Sequence, residues 1–314
     1  MRPTLRLLLQ RIWHAVEPAG DWVIRCMPSS AKLIMFRALV KSLRVRTVTV
    51  EGSYGPFQGN PLDLGVLSEY MLTGTYSPEL VKFLLNWFQR FGPGTMIDVG
   101  ANIGLTAVPV AMAGVDCICF EPDIGNFRLL QINTERCPAG SVKLFNLAIF
   151  DTEGEVSFEI SDWNHGDHRV RNVDTSGAFG EQHRIVTTVA ARPLDSVVDI
   201  QNIRRPLFVK IDTQGCEAHA LLGGNTVVSS ADLLSLEFCP YLVRRMGQHE
   251  SLLIDFIERH FVAGYIGNWH DHSQNDRLLA IDELVKLLRD FSRSVKTTQH
   301  LDLLLVRDRK FAQP

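Results

Sequence analysis

Met96-Ile97-Asp98-Val99-Gly100-Ala101-Asn102-Ile103-Gly104 is the stretch that decides the fold, because an apolar run ends at an acidic residue and then turns through two glycines. A buried strand followed by a glycine-rich turn lets the backbone come close to a bound, nucleotide-like molecule. It also sets the Asp98 carboxylate at the carboxyl end of that strand, where open α/β sheets bind their ligands. The stretch therefore predicts a ligand-binding loop; the alternative is an ordinary strand-to-helix turn that binds nothing.

The residue at position 102 helps to decide between two kinds of ligand for this loop. The dinucleotide fingerprint G-x-G-x-x-G has its second glycine where this chain has Asn102, and that glycine lets the pyrophosphate approach. Asp98 adds a negative charge that disfavours a pyrophosphate but suits a ligand carrying an amino group and a sulfonium cation. The pattern acidic-x-Gly-x-x-x-Gly, with Gly100 and Gly104, therefore favours S-adenosylmethionine over a dinucleotide.

A second predicted strand supports this interpretation. The apolar run at 116–120 ends at Glu121-Pro122. An acidic residue about 20 residues beyond a glycine loop is placed to accept hydrogen bonds from ribose hydroxyls. Between the two strands, residues 102–113 are small and apolar, which predicts a packed crossover helix that Pro109 kinks or shortens.

Five motifs follow one another along the chain. They are D-V-G-A-N-I-G at 98–104, F-E-P at 120–122, N-L-A at 146–148 with D-T-E-G at 151–154, L-D-S at 194–196 and V-K-I-D-T-Q-G-C-E at 209–217. In this order and spacing the chain resembles the FkbM-type S-adenosylmethionine-dependent methyltransferases from residue 60 to residue 270. It departs from them at Thr213-Gln214, where the family usually carries Val-Glu, and so lacks one carboxylate beside the expected active site.

The resemblance implies a fold and a donor site. The fold is α/β, of the class I methyltransferase (Rossmann-like) type, with a mainly parallel seven-stranded sheet that has helices on both faces and ends in an antiparallel strand pair. A helical N-terminal extension precedes it. The donor-binding residues implied are Asp98, Gly100, Asn102, Gly104, Glu121, Pro122, Asn146 and Ala148.

A second group of acids follows later strands. The apolar run 207–211 ends at Asp212, on the same predicted edge as Asp98 and Glu121, and Glu237 lies near the end of the run 233–238. Transfer of a methyl group to an aliphatic hydroxyl needs alignment and a general base. We therefore predict Asp212 and Glu237 as catalytic residues. The alternatives are a helix cap for Asp212 and a structural salt bridge for Glu237.

Histidines offer alternative bases. His165 and His168 lie in a polar stretch, and histidine titrates close to neutral pH, so Asp212 could orient one of them. His219 is a further candidate. For each of the three the competing interpretation is a solvated surface position.

Metal binding is not predicted. Asp212 and Glu237 could hold a divalent cation through oxygen ligands, but two carboxylates are few for such a site. His270-Asp271-His272 is interpreted as a surface turn, because His-x-His with one acid lacks a further ligand.

The acceptor is less well specified. By the resemblance it is a hydroxyl of a sugar, a glycan or another natural product, so we predict O-methylation. A polar insertion at 161–184 suits a hydroxyl-rich or anionic acceptor because it holds Arg169, Arg171 and Asn172, whereas Trp163 and Phe179 are its only large aromatic residues. The alternative is a non-catalytic S-adenosylmethionine-binding regulatory or scaffold domain.

Composition excludes several other classes. The chain has 314 residues, of which 46% are hydrophobic and 21% charged, as in folded globular proteins. A net charge of −3 argues against nucleic acid as a partner. No run approaches the ~18 apolar residues of a membrane span. The six cysteines form no Cys-x-x-Cys pair, which predicts free thiols in a cytoplasmic protein.

Charge and turn residues divide the chain into three segments. Residues 1–50 hold nine Lys or Arg against two acids and predict a basic, helical extension. This extension either caps the catalytic domain or makes a peripheral contact with a membrane or a partner. Arg6 and Arg11 interrupt its apolar run, which argues against a secretory signal. Residues 51–94 predict a lead-in hairpin and a helix capped by Ser77, and residues 95–314 the methyltransferase domain. The sequence leaves the oligomeric state open.

The remaining pattern alternates between strands and helices, as in parallel sheets. Beyond those already named, it predicts strands at 142–149, 155–160, 185–190 and 301–306, and helices at 126–136 and 252–261.

Overall fold

The computed structural model of the protein describes residues 29–172, 177–178, 180–267, 277–295 and 298–312. The chain divides into two compact units, one of residues 1–48 with 60–62 and one of residues 49–59 with 63–314. In the first unit, helix α1 (Ser29–Ser42) leaves Ile34, Met35 and Leu39 exposed. The basic segment before residue 29 lies outside the described residues, so its contact with a membrane or a partner stays a prediction.

The strands of the described residues carry the architecture. In chain order they are β1 (Val48–Val50), β2 (Phe57–Gly59), β3 (Thr95–Val99), β4 (Asp116–Phe120), β5 (Val142–Phe145), β6 (Ala148–Ile149), β7 (Gly154–Ile160), β8 (Arg169–Val170), β9 (Ile185–Arg192), β10 (Leu207–Ile211), β11 (Leu233–Phe238), β12 (Ala263–Gly267), β13 (Leu279–Ala280) and β14 (Leu301–Val306).

The helices alternate with these strands. After α1 they are α2 (Val66–Thr73), α3 (Pro78–Phe91), α4 (Ala107–Met112), α5 (Ile124–Thr134), α6 (Leu194–Val197), α7 (Glu217–Gly223), α8 (Asn225–Ser229), α9 (Pro240–Arg245), α10 (Ser251–His260) and α11 (Ile281–Ser294).

An eight-stranded sheet forms the centre of the second unit, in the order β5-β4-β3-β10-β11-β14-β12-β13. The first five strands are parallel, and β14, β12 and β13 are antiparallel to their neighbours. The predicted α/β fold and its antiparallel ending are confirmed. The short strand β13 makes the sheet eight-stranded rather than seven-stranded.

Apolar side chains cover both faces of this sheet. The central strands β3, β10 and β11 are buried almost throughout, as strands covered on both faces must be. Helices α7, α10 and α11 pack on one face. Helices α3 and α4 pack on the other, around the fully buried Trp87. The helices on both faces agree with the prediction.

A second sheet, in the order β6-β9-β7-β8, was not predicted as a separate layer. The expected strand at 142–149 divides into β5 and β6, which belong to different sheets. The division falls at Asn146, whose Nδ2 donates hydrogen bonds to the carbonyls of Glu121 (2.8 Å) and Pro122 (2.9 Å). This link draws the chain out of the large sheet after Phe145.

The crossover helix is shorter than the predicted 102–113. Helix α4 begins only at Ala107, because Asn102 (φ 50°) and Gly104 (φ 91°) have left-handed backbone conformations that a helix cannot contain. Pro109 lies in the first turn of α4, where its missing N–H costs no helical hydrogen bond. Residues 102–106 thus form a loop and not a helix.

Two further observations concern membrane-spanning helices and the cysteines. Within the described ranges, no helix is long and apolar enough to cross a bilayer. The five described cysteines, Cys117, Cys119, Cys137, Cys216 and Cys239, are free thiols, as predicted.

Candidate functional site

A cavity of about 510 Å³ lies at the carboxyl ends of β3, β4 and β10. Here the chain turns back from the β4 side of the sheet to place β10 beside β3, which is where open α/β sheets bind ligands. The lining residues are Val99, Gly100, Glu121, Pro122, Asn126, Leu147, Ala148, Ile149, Phe158, His165, Gly166, His168, Val170, Asp212, Thr213, Gln214 and Cys216.

Asp98 does not line this cavity. It is 1% exposed and lies beside Lys210 on the adjacent strand, with Asp98 Oδ1 3.5 Å from Lys210 Nζ. Burial raises the pKa of Asp98, and the charge of Lys210 opposes that rise. Asp98 thus lies beside the charge of the partly buried Lys210, and its contact with the donor stays a prediction. That lysine, in an otherwise apolar strand, was the sequence signal for a hidden counter-charge.

The glycine loop is held by two close contacts. Gly100 has φ 87°, and a Cβ added there would lie 1.9 Å from the carbonyl oxygen of Asp212, so only glycine fits. Asn102 takes a left-handed conformation, and its Nδ2 donates to the carbonyl of His165 at 2.9 Å. Asn102 is thus a link between the loop and a distant turn, which a glycine could not provide.

Glu121 fixes the loop from the neighbouring strand. Its Oε2 accepts the N–H of Asn102 and its Oε1 the N–H of Asp123, each at 2.9 Å. Burial raises the pKa of Glu121 to about 8, although these two N–H groups favour the charged form. Each carboxylate oxygen retains a lone pair that a ligand hydroxyl can use. Pro122 and Ala148 line the cavity, whereas Asn146 supports the turn from outside.

The 3-10 turn His165–Asp167 covers one side of the cavity. The carbonyl of His165 accepts hydrogen bonds from Asn102 Nδ2 and from Asn126 Nδ2 (3.0 Å), and its N–H donates to Asp63 Oδ1 (2.9 Å). Sequence reasoning missed Asn126 and Asp63. Asp63 lies just before α2 and its Oδ2 accepts the Leu67 N–H, and no motif of the sequence marked it.

The three candidate histidines, His165, His168 and His219, lie in different surroundings. His165 and His168 line the cavity with ring centroids 5.2 Å apart. His168 Nδ1 accepts the Ser161 N–H at 3.0 Å, which places the ring proton on Nε2, and burial lowers the pKa of His168 to about 4. His219 is stacked on Phe150, with Asp151 and the Met246 carbonyl at its two nitrogens. The Nδ1 lone pair of His168 is thus occupied by the Ser161 N–H, and both ring nitrogens of His219 are engaged within the protein.

The side chain of Gln214 forms hydrogen bonds with two carboxylates, those of Asp212 and Glu237. Its Nε2 donates to Asp212 Oδ1 (2.9 Å) and to Glu237 Oε2 (3.2 Å) from a left-handed backbone with φ 56°. Lys210 Nζ lies 3.1 Å from Asp212 Oδ2. The departure at Thr213-Gln214 therefore places a neutral donor between two acids, where a glutamate would add a third negative charge.

The two acids have opposite pKa shifts. Burial disfavours the charged form of Asp212, but the charge of Lys210 and the hydrogen bonds from Gln214 and Lys210 outweigh it and hold the pKa below its ordinary value. Burial, together with the charges of Asp212 and Glu217, holds the pKa of Glu237 well above its ordinary value. Such a separated pair is typical of sites that move protons.

An open groove of about 1540 Å³ adjoins the cavity and shares Gly166, Asp212 and Gln214 with it. Asp212 thus lies where the two spaces meet. The groove is lined by Leu64, Gly65, Val66, Ser68, Glu69, Leu72, Thr73, Tyr76, Trp163, Asn164, Gly166, Asp167, Asp212, Gln214, Glu237, Cys239, Leu242, Thr298, His300 and Asp302.

Arg169 and Arg171, predicted to suit a hydroxyl-rich or anionic acceptor, line neither space. Arg169 is 4% exposed and lies within 4 Å of Glu159, Asp167 and Glu181, and Arg171 Nη1 is 4.0 Å from Glu159 Oε2. Arg169 therefore pairs with acids of the protein itself, and the nature of the acceptor stays a prediction. The described residues contain no group of three or more His, Cys, Asp or Glu that could hold a metal, and His270-Asp271-His272 lies outside them.

Comparison with known proteins gives one family. The profile of the Methyltransferase FkbM domain matches residues 98–290, more than half of the chain. The hexuronic acid methyltransferase AglP of Haloferax volcanii is 28% identical over 141 residues, which are 45% of this chain and 54% of that protein, so the match spans about half of the relative.

Solved structures were also matched. An S-adenosylmethionine-dependent methyltransferase from Agrobacterium tumefaciens is 10% identical with a TM-score of 0.38 and covers 84% of this chain and 71% of its own. The magnesium protoporphyrin IX methyltransferase of Synechocystis PCC 6803 is 13% identical with a TM-score of 0.36 and covers 74% and 78%. With five ordered motifs, a cavity at the carboxyl edge and a profile match across both, the chain belongs to the FkbM family of S-adenosylmethionine-dependent methyltransferases.

Proposed function

We propose that this protein transfers a methyl group from S-adenosylmethionine to a hydroxyl of a sugar or glycan. The observation that carries the proposal is the junction at Asp212 and Gln214, which line both the cavity and the adjoining groove. A donor and an acceptor bound in these two spaces meet at those residues. The name of the Haloferax relative, a sugar-acid methyltransferase, supports a carbohydrate acceptor.

The residues that line the cavity suit the chemical groups of the donor. Pro122, Leu147, Ile149 and Phe158 provide apolar walls for a heterocycle, and Glu121 provides acceptors for ribose hydroxyls. When bound, S-adenosylmethionine supplies an electrophilic methyl group on a sulfonium. The turn at His165–Asp167 covers one side of the cavity and limits the access of water.

The acceptor side works through the two carboxylates. Asp212, kept ionised by Lys210 and Gln214, accepts a hydrogen bond from a neighbouring hydroxyl of the sugar and so orients the attacking hydroxyl beside it, whose own proton faces Glu237. Glu237 has the higher pKa of the two and is the better proton acceptor, so we assign it the proton that leaves the hydroxyl. Gln214 holds the two carboxylates at a fixed separation.

Two substitutions test this assignment. Asp212→Asn removes the orienting charge, and we expect kcat to fall by about 100- to 1,000-fold while the affinity for S-adenosylmethionine changes less than about twofold. Because Glu237 accepts a proton only when it is ionised, wild-type kcat should rise with pH above the ordinary carboxyl range. Glu237→Gln should abolish that rise. Asp212→Asn should move the remaining profile to lower pH, since it removes a negative charge that raises the pKa of Glu237.

Turnover is measured by mass detection of methylated products from a panel of sugar, glycan and polyketide alcohols, and donor affinity by calorimetry. Asp255→Asn is the matched control, because its side chain is 59% exposed on α10 and lies outside both spaces. Unchanged turnover in Asp212→Asn would refute the role of that residue. Tight donor binding with no methylated alcohol in the whole panel would refute O-methylation and favour a non-catalytic binding domain.

A further inference from the structure

Strand β9 has an outer edge that is uncovered along most of its length. Residues 185–191 pair with β7 on one side, whereas only Ala191 and Arg192 pair with β6 on the other. Within the part of the chain that the structure describes, residues 185–190 therefore have a strand on one side only. Every second residue of such an edge directs its N–H and C=O away from the sheet, where another strand can pair with them.

The sequence of this edge favours pairing. Residues 185–190 are Ile-Val-Thr-Thr-Val-Ala, a run without charge, proline or glycine. Five of the six are β-branched, and such side chains are the ones that strands prefer. Ile185 is 71% exposed and Val186 45% exposed. Two large apolar side chains thus lie in water beside a main chain that can accept a further strand.

Other uncovered edges of the described sheets carry the protection that natural proteins use against unwanted pairing, which is a short strand or a charge. The outer strands β6, β8 and β13 have two residues each. The outer strand β5 presents the exposed Lys143, and the uncovered part of β7 carries the exposed Glu155. The edge at 185–190 has neither form of protection, which indicates that it is used for pairing.

The pattern of this edge is complementary to itself. Antiparallel pairing about a two-fold axis places one residue opposite its own copy. With Thr187 on that axis, residues 185–189 of two copies lie side by side, so that isoleucine faces valine and valine faces threonine. Every facing pair is then uncharged and β-branched, which stabilises neighbouring strands. The paired segment ends before Ala191, where β6 already occupies the edge.

We propose that two copies of this chain associate through β9, with residues 185–189 of the copies paired antiparallel. The four-stranded sheet of each copy then becomes half of a continuous eight-stranded sheet. Because the shared segment is short, we expect a reversible dimer with a dissociation constant of about 1–100 μM. This association does not depend on the proposed function.

Two measurements on the full chain test the association and its place. Sedimentation equilibrium from about 1 to 300 μM protein brackets the expected dissociation constant. Amide hydrogen exchange over the same range should slow within residues 185–189 as the concentration rises, because pairing covers the N–H groups that point outwards. A chain that stays monomeric throughout would leave the edge to a strand of another protein and overturn the proposal. Slower exchange only in other segments would overturn it as well.

Charge substitutions at Thr187 test the register. Thr187→Lys places two positive charges opposite each other in the dimer, and Thr187→Glu two negative charges, so each should weaken association at least ~10-fold. An equimolar mixture of the two variants should associate again, since a lysine then faces a glutamate. Mixing would not repair a defect of folding. The matched control is Ser157→Lys, which adds the same charge at an exposed position of the neighbouring strand β7.

Donor affinity and melting temperature verify that each variant is folded. Association that is undiminished in both Thr187 variants, or that does not return when they are mixed, overturns the pairing of β9 with its own copy. A loss of association in Ser157→Lys as large as that in Thr187→Lys also overturns it, because the effect would then follow from charge anywhere on this sheet.

Discussion

Asn102 shows how one side chain links the donor loop to the rest of the site. Its amide reaches the carbonyl of His165, 63 residues further along the chain, and its backbone takes a left-handed conformation that asparagine tolerates. The sequence shows that Asn102 replaces a glycine. It does not show the partner, because a contact over that distance leaves no local pattern.

A pair of substitutions at Asn102 separates backbone from side chain. Asn102→Gly keeps the left-handed conformation and removes the hydrogen bond, so we expect near wild-type stability and donor binding weakened by about 10-fold. Asn102→Ala should lose the same affinity and also about 1 kcal/mol of stability, because alanine is strained at φ 50°. Calorimetry and urea unfolding measure the two quantities. Donor affinity unchanged in Asn102→Gly would mean that the link to His165 does not support the cavity.

His168 predicts a dependence of stability on pH. Its folded pKa of about 4 lies below the ordinary value of 6.5, so the unfolded chain binds a proton between these values and the folded chain does not. The stability due to the neutral ring is present above pH 6.5 and is lost as the pH falls toward 4. His168→Asn retains an acceptor for the Ser161 N–H and should lose less stability on acidification, by at most about 3 kcal/mol.

The measurement is the free energy of unfolding of wild type and His168→Asn at pH 4.5 and 7.5. His249→Asn, at an exposed histidine, is the control. Equal acid sensitivity in wild type and His168→Asn would contradict a neutral, buried His168.

At the scale of the element, the insertion at 161–184 differs most from its prediction. A stretch rich in Asp, Asn, Gly and His predicts a solvated loop. Instead Arg169 and Arg184 pair with Glu159, Asp167 and Glu181 in a buried network between β7 and the 3-10 turn. Charged residues are rarely buried unless paired, and the pairing is visible only once β7 and the insertion are folded together.

A substitution at Arg184 tests whether this network stabilises the fold. Arg184 Nη1 lies 3.2 Å from Glu159 Oε1 and 2.6 Å from the Asp167 carbonyl oxygen. Arg184→Met leaves both acids without that charge in a buried place, so we expect a loss of about 3–5 kcal/mol in the free energy of unfolding. Arg192→Met, which breaks the exposed pair with Glu153, should cost less than about 1 kcal/mol. Equal effects in the two variants, measured by urea unfolding, would show that burial does not matter here.

For the whole molecule, the large sheet was more predictable than the site. The runs 116–120, 207–211, 233–238 and 301–306 match strands at both ends, because strands buried on two faces are continuous apolar runs that stop abruptly. The second sheet contains the two-residue strands β6 and β8, which carry no periodic signal and depend on partners far along the chain.

The residues of the site also differ in how well the sequence predicts them. The donor loop and Glu121 come from neighbouring strands and could be predicted from spacing. The groove gathers residues from α2, from the turn before β8 and from the ends of β10, β11 and β14, so no single stretch of sequence announces it. The sequence therefore indicated the residues that meet at the ends of neighbouring strands and gave no indication of surfaces assembled from distant segments.

The contact between Gly100 and Asp212 limits how the enzyme can change. The N–H of Asp212 donates to the Val99 carbonyl at 3.0 Å, and the two loops leave no space for a methyl group at Gly100. The spacing between the glycine loop and the main chain of Asp212 is thus set by main-chain atoms, and under the proposed function this spacing helps to align donor and acceptor. Substitutions along the groove can alter the preferred acceptor while the reach of the reaction stays constant, which makes the groove the part of the molecule best suited to diversification.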